Sequence, residues 1–287
     1  MKGGNRALML RLAKKIFVSG LPLSVRKPLA VLTDRLPLVP NRHSLSMAMI
    51  RDWAEKDVDA FHRFLWAHHV GYAQFYEAVH QFGTKNLVLT RRMLFEDLRN
   101  YLVAQRESGS YTKEIESIFD VGCSSGYLLR SLETDFFPAA TTLEGIDIDK
   151  QAVEMGDQYL RSHKSKVRLL RADMADLDRV MGERKFDLVL CTGVLTYLHD
   201  DAAADVVRSM LDHCSGLAVI TDRAHPSIDN ARLEHSDTRL FDGALIHNID
   251  KMVKKAGGAV VYRRWEGAKD FDGQTVYFIF CRPDIPN

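Results

Sequence analysis

The spacing of apolar positions changes character once along the chain, near the polar stretch Arg106-Glu107-Ser108-Gly109-Ser110. Before it the period is helical. Phe61, Leu65, Val70, Ala73, Tyr76 and Val79 recur at three- to five-residue steps, predicting a helix over about 57–82 with Gly71 as its weak point. A second helix is expected over 88–103, and Asn41-Arg42-His43-Ser44 after Pro40 reads as a turn and helix start. After the border, short β-rich runs at 115–121, 141–146, 167–170, 186–191 and 217–221 alternate with helical stretches at 127–134, 150–162, 174–181, 202–213 and 244–256. Such alternation predicts parallel βαβ units and a doubly wound sheet. The end departs from it. Runs at 259–265 and 275–281 have no helix between them and should pair as an antiparallel hairpin at or near the sheet edge. The expected class is α/β: a doubly wound, mostly parallel sheet with a C-terminal antiparallel hairpin, preceded by an N-terminal helical lid or subdomain. The segments are then a basic arm over 1–43, the helical lid over 44–110 and the α/β domain over 111–287.

Composition narrows this little. The 287 residues are 46% hydrophobic and 27% charged, with a formal net charge of +1, so there is material for a real core and no overall bias toward nucleic acid. The charge is uneven, however. Up to Arg42, nine Lys and Arg face Asp34 alone, about +8, which leaves about −7 for the remainder. Two readings fit such an arm: a surface for anionic lipid, an acidic substrate or RNA, or a solvated, poorly ordered tail. The stretch 8–23 contains Arg11, Lys14, Lys15, Gly20 and Pro22, too polar to span a membrane, although peripheral association stays open. Cys123, Cys191, Cys214 and Cys281 form no CxxC pair, so no disulfide framework is expected and a reducing cytoplasm is the default. The histidines include no HExxH pair, and no metal is predicted.

Candidate chemistry gathers at the ends of the strands. Asp120-Val121-Gly122-Cys123-Ser124-Ser125-Gly126 joins a buried strand to an apolar helix through a small-residue turn. Gly122 permits backbone angles closed to other residues, and Gly126 opens a helix whose free N–H groups favour anionic or dipolar ligands. Alone, this turn fits NAD, FAD, S-adenosylmethionine or a tight loop. Asp147, 25 residues after Gly122, ends the second strand, where a carboxylate accepts both ribose hydroxyls of an adenosine. Its competing role, capping the next helix, suits Asp149 better. Asp173, followed by Met174, ends the third strand, within reach of an adenine amino group. Cys191-Thr192-Gly193 through Tyr197 lies beside the same crevice.

In order and spacing, these four segments resemble class I (Rossmann-like) S-adenosylmethionine-dependent methyltransferases, over roughly residues 115–283 and including the hairpin. The resemblance implies seven strands, S-adenosyl-L-methionine as cofactor, and these roles. Asp120, Gly122, Cys123, Ser124 and Gly126 hold its methionine part, Asp147 with Ile148 the ribose, Asp173 with Met174 the adenine side, and Cys191 and Thr192 flank the sulfonium. One position departs: the family usually has Gly where Ser124 stands.

Methyl transfer from an activated cofactor needs alignment and exclusion of water, with a base only for a hydroxyl or protonated amine. His199 is the candidate base and Tyr197 the candidate orienting group; against this, Tyr197 fits packing, and His199-Asp200 fits a helix start capped by Asp200. The connection 221–242 and the aromatic stretch from His62 through Trp66 and Tyr72 to Tyr76 are candidate walls of an acceptor pocket. The alternative is that Phe64, Trp66 and Phe75 form the core of a helical subdomain. His247 reads as a helix-face residue. The leading expectation is methyl transfer to a hydroxyl or amine of a small molecule, sugar or lipid-linked intermediate, anionic or membrane-attached in view of the arm. The rivals are a methyltransferase-like binding protein without turnover, a nucleic-acid methyltransferase, which the missing Asp/Asn-Pro-Pro-Tyr/Phe signature disfavours, and an NAD-dependent oxidoreductase.

Overall fold

The computed structural model describes residues 20–71, 73, 76, 79–110, 113–239, 243–267 and 275–283. Two compact units divide at Ala78 and Val79. Of the basic arm, Lys2, Arg6, Arg11, Lys14 and Lys15 lie outside the described residues, as do Tyr72 and Phe75 of the aromatic stretch.

The first unit contains helices α1 (Leu23–Arg35), α2 (Arg42–Ile50) and α3 (Val58–Ala67). They close over Ala30, Met49, Ile50, Trp53, Phe61, Leu65 and Val70. The later part of the arm is therefore no solvated tail. Arg26 is buried, donates to Asp52 at 2.5 and 3.0 Å and to the Met49 carbonyl at 2.8 Å. The buried Asp34 carboxylate accepts from Ser46 Oγ at 2.6 Å and meets His43 Nδ1 at 3.0 Å. The single helix expected over 57–82 is broken after Ala67. His69 adopts φ 53°, the amide of Val70 reaches back to Leu65 at 2.9 Å and that of His69 to Trp66 at 3.1 Å, a Schellman ending with Val70 and Leu65 in one apolar cluster. Apolar spacing alone could not reveal this stop, because Val70 continues the core after the helix has ended.

The second unit opens with α4 (Leu89–Glu107) and continues β1 (Ser117–Val121), α5 (Tyr127–Ser131), β2 (Thr142–Asp147), α6 (Lys150–Ser162), β3 (Arg168–Arg171), α7 (Leu177–Met181), β4 (Phe186–Thr192), α8 (Asp200–Asp212) and β5 (Cys214–Asp222). Two short strands follow, β6 (Asp237–Thr238) and β7 (Leu245–Ile246), then α9 (Ile249–Lys255), β8 (Gly258–Glu266) and β9 (Val276–Pro283). The main sheet has seven strands in the order β3-β2-β1-β4-β5-β9-β8. Strands β1 to β5 are parallel, and β9 runs antiparallel to both β5 and β8. Alternation along each strand loads both faces. Val121, Val189, Cys191 and Ile220 pack with α7, α8 and α9, whereas Ile118, Leu190, Val219 and Phe278 pack with α4, α5 and α6. Each such side chain contributes about 1.5–3 kcal/mol on burial. The strand order reverses between β1 and β4, which opens a crevice at their carboxyl ends.

Two expected helices start elsewhere. The helix foreseen over 244–256 begins only at Ile249, because the Asn248 side chain caps it, accepting from Lys251 N at 2.9 Å. Leu245 and Ile246 instead pair with Thr238 and Asp237. Asp200 lies in the first turn of α8 rather than at its cap, a position held by His199.

Candidate cofactor site

Three left-handed residues carry the chain from β1 into α5: Gly122 at φ 76°, Ser124 at φ 51° and Gly126 at φ 76°. The amides of Gly122 and Cys123 both donate to the Ile146 carbonyl, at 2.8 and 2.9 Å, tying the turn to β2. A Cβ on Gly122 would collide with the Val194 side chain, so only glycine lets the residues after β4 lie on this turn. Ser124 occupies a conformation that costs a side-chain-bearing residue about 1–2 kcal/mol. Its amide donates to Asp147 Oδ2 at 2.7 Å, and its Oγ meets His80 Nδ1 at 3.0 Å. The His80 ring stacks on Tyr127 with centroids 4.5 Å apart and planes 12° from parallel. Burial, reinforced by the Arg91 charge, pushes the His80 imidazole down to about 3, so it is neutral at physiological pH.

Asp120 is fully buried, and neither carboxylate oxygen has a hydrogen-bond partner among the described residues. Burial pushes its carboxyl up to about 8; Arg91 opposes that shift and Asp147 adds to it. Asp147 is half-buried at the end of β2 and anchors two backbone amides, Ser124 through Oδ2 and Asp149 through Oδ1 at 2.8 Å. Burial again dominates, pushing it up to about 6 against those two bonds. A carboxylate oxygen has a second lone pair, so both oxygens of Asp147 can still accept from vicinal hydroxyls. Asp149 takes the capping role, accepting from Gln151 and Ala152 at 2.9 and 3.1 Å. Ile148 between them is half-buried.

Asp173 and Met174 follow β3 at the same edge, both half-buried. Asp173 spends Oδ1 on the Ala175 amide at 3.0 Å, and Met174 packs against the core. Cys191 pairs in register with Val121, and Thr192 ends β4. Burial pushes the thiols of Cys123 and Cys191 well up, which suits packing rather than nucleophilic roles. Tyr197 is buried in a single 3₁₀ turn, Leu195–Tyr197, and His199 is exposed at the start of α8. Asp120, Ser124, Asp147, Cys191 and Thr192 thus gather at the ends of adjoining strands, while His199 faces solvent.

Sequence reasoning missed His80 and Arg91 here, and took in Asp222 and Asn230 only as part of the connection 221–242. His80 and Arg91 lie outside every recognisable motif; Arg91, in the first turn of α4, donates to Thr221 Oγ1 at 2.9 Å and to the Thr192 carbonyl at 3.0 Å. Asp222, buried at the end of β5, accepts from Arg223 N at 2.8 Å through Oδ1, and its Oδ2 has no hydrogen-bond partner among the described residues. Asn230 is wholly buried within the connection after β5. It donates to the Arg223 and His247 carbonyls at 3.0 and 2.8 Å and accepts from Trp265 Nε1 at 2.9 Å. His247 is no helix-face residue. It is fully buried before α9, with Nε2 donating to the Leu195 carbonyl at 2.9 Å and Nδ1 2.6 Å from Ser236 Oγ. Desolvation works against its charge, but Asp200 and Asp222 outweigh that and hold its pKa above the ordinary value.

Among the described residues no group of three His, Cys, Asp or Glu side chains could hold a metal ion, and no helix is long and apolar enough to cross a membrane. Residues 118–215 match the sequence model of the methyltransferase domain family. A segment of 126 residues is 29% identical to the ribosomal protein L11 methyltransferase of Thermotoga maritima; it covers 44% of this chain and 45% of that protein, so the match spans less than half the length of this curated relative. Among solved structures, a SAM-dependent methyltransferase from Leishmania major superposes with a TM-score of 0.58 at 14% identity, over 80% of this chain and 85% of its own. The magnesium protoporphyrin IX methyltransferase of Synechocystis PCC 6803, solved with bound SAH, gives 0.52 at 15% identity, over 78% and 99%. The domain match falls on the strands that build the crevice, and the sheet order with its terminal hairpin gives the chain the fold of these solved S-adenosylmethionine-dependent methyltransferases.

Proposed function

We propose that the chain is an enzyme that transfers a methyl group from S-adenosyl-L-methionine to a hydroxyl or amine of a small molecule, sugar or lipid-linked intermediate. The observation that carries the cofactor assignment is Asp120, a buried carboxylate with two unsatisfied oxygens beside a glycine-containing turn. Leaving such a group unpaired costs several kcal/mol, and an ammonium placed against it removes that cost. The α-amino group of the cofactor's methionine part is such an ammonium. Asp147 supplies oxygens for the ribose hydroxyls, with Ile148 beside it, and Asp173 with Met174 lies on the adenine side. Gly122, Cys123, Ser124 and Gly126 enclose the methionine part, and Cys191 and Thr192 flank the reacting carbon.

When bound, the cofactor supplies a methyl group already activated on a sulfonium. The chain's own contribution is orientation and exclusion of water. Tyr197, buried close to the end of β4, would orient the acceptor, and the exposed His199 would take its proton and pass it to solvent. The segments 1–43, 44–110 and 111–287 serve in this reading as basic arm, helical lid and cofactor domain. The relatives named above act on substrates as unlike as a ribosomal protein and a porphyrin, so the small-molecule assignment rests on the missing nucleobase signature after β4. Its test is formation of S-adenosylhomocysteine from S-adenosylmethionine with separated metabolite, RNA and protein fractions of a cell extract. Turnover with the metabolite fraction is expected; turnover confined to RNA or protein would contradict it.

A further inference from the structure

Several arginines of the second unit are paired with carboxylates. Arg130 is paired with Glu133, Arg184 with Glu144, Arg263 with Asp229 and Asp250, and Arg264 with Asp97 and Glu266. Arg91 meets only uncharged acceptors, Thr221 Oγ1 and the Thr192 carbonyl, and among the described residues no carboxylate pairs with it. Those two bonds fix the plane of the guanidinium at the ends of β4 and β5 without neutralising it. Gly193, at φ 72°, makes room: a Cβ there would lie 3.0 Å from Arg91 Nη2. The Asp120 carboxyl is near enough to feel the Arg91 charge, buried and with neither oxygen partnered among the described residues, and the two form no ion pair. His80, held neutral, adds no second cation.

A fixed cation and a buried carboxyl that gives up its proton to an incoming ammonium together complement a zwitterion. We propose that Arg91 is the anchor for the α-carboxylate of the cofactor's amino-acid end, and that with Asp120 it forms an amino-acid receptor built partly from α4. This rests on the cofactor assignment above. Arg91 lies outside the matched domain at 118–215, so the receptor joins a helix before the domain to the strand ends within it. The guanidinium keeps N–H donors beyond the two already engaged, in the planar fork that suits a carboxylate, which a lysine ammonium cannot reproduce. An acid group on the methyl acceptor is the other carboxylate that could reach Arg91, and the test separates the two sources.

The experiment is equilibrium binding of S-adenosylhomocysteine and of 5′-methylthioadenosine, which lacks the amino-acid end, to the full chain and its Arg91→Gln and Arg91→Lys variants. Loss of a charge-assisted carboxylate contact should weaken S-adenosylhomocysteine about ten-fold or more in Arg91→Gln. Methylthioadenosine should change by less than about three-fold, and Arg91→Lys should recover part of the loss. Unchanged S-adenosylhomocysteine affinity in Arg91→Gln would assign the arginine to another anion and overturn the proposal. Equal losses for both ligands would mark a structural role and overturn it too. If Arg91→Gln does not fold, the same ratio of losses is read from Arg91→Lys. Binding of neither ligand by the unaltered chain would instead remove the cofactor assignment, and the receptor with it.

Discussion

Asp120 fixes how cofactor binding should respond to pH. With its carboxyl pushed up to about 8 from an ordinary 3.8, the folded chain holds a proton here that the unfolded chain has released. Proton uptake by the folded state across that interval means that this group's contribution to stability falls as pH rises from about 4 through 8. An ammonium beside it reverses the preference, so ligand binding expels the proton. S-Adenosylhomocysteine should therefore release close to one proton at pH 7, read from calorimetry in buffers of different ionisation enthalpy. Its affinity should tighten by up to about ten-fold per pH unit between pH 6.5 and 8. Asp120→Asn should abolish both effects; proton release that persists in this variant would place the linkage on Asp147, pushed up to about 6. Ser124 offers a second test at this scale. Ser124→Ala keeps the left-handed strain and loses the His80 contact, and should cost about 1 kcal/mol. Ser124→Gly loses the same contact but relieves the strain, and should lie near neutral in urea denaturation. Equal losses in the two variants would show that the backbone conformation at 124 carries no strain.

Among the elements, α6 decides whether the turn after β1 can keep its shape. Gly156 lets this helix press directly on the Ser125 carbonyl; a Cβ there would collide with that oxygen and with its carbonyl carbon. Backbone cannot move aside as a flexible side chain can, so Gly156→Ala should destabilise the chain by about 1–3 kcal/mol and weaken S-adenosylhomocysteine binding in parallel. Loss of stability with unchanged affinity would separate the helix from the turn. The strands were legible because each is a short apolar run closed by turn residues, and the hairpin because no helical period separates its halves. What escaped depended on contacts distant in sequence. The stop after Ala67 rests on His69 leaving the helical region while Val70 stays in the core. The short β6–β7 ladder took Leu245 and Ile246 out of an amphipathic pattern that fits a helix equally well. Asp120, Gly122, Ser124 and Asp147 were visible because they sit at fixed offsets from strand ends. Arg91 and His80 reach the same place from an unrelated stretch of chain, and no local pattern encodes that reach.

At the scale of the whole molecule, the second unit concentrates unsatisfied charge at one edge of its sheet. Asp120 and Asp222 are buried there with unpartnered oxygens, while most charged groups elsewhere in the unit are paired or solvated. Folding bears that cost where a charged ligand can repay it. The connection after β5 is held rather than loose, with Asn230 bonded to four of its surroundings and His247 locked between Leu195, Ser236 and Asp200. A pocket wall built from it would have a fixed shape. The central claim, that an adenosine-bearing cofactor lies across the ends of β1 and β2, is tested most directly by isothermal titration of S-adenosylmethionine into the full chain and its Asp147→Ala variant, with folding of both checked by thermal unfolding. A single site is expected in the unaltered chain and, for a folded Asp147→Ala, affinity lower by about 30-fold or more, as loss of charged hydrogen bonds to a ribose requires. Comparable heat and affinity from the two proteins would contradict it.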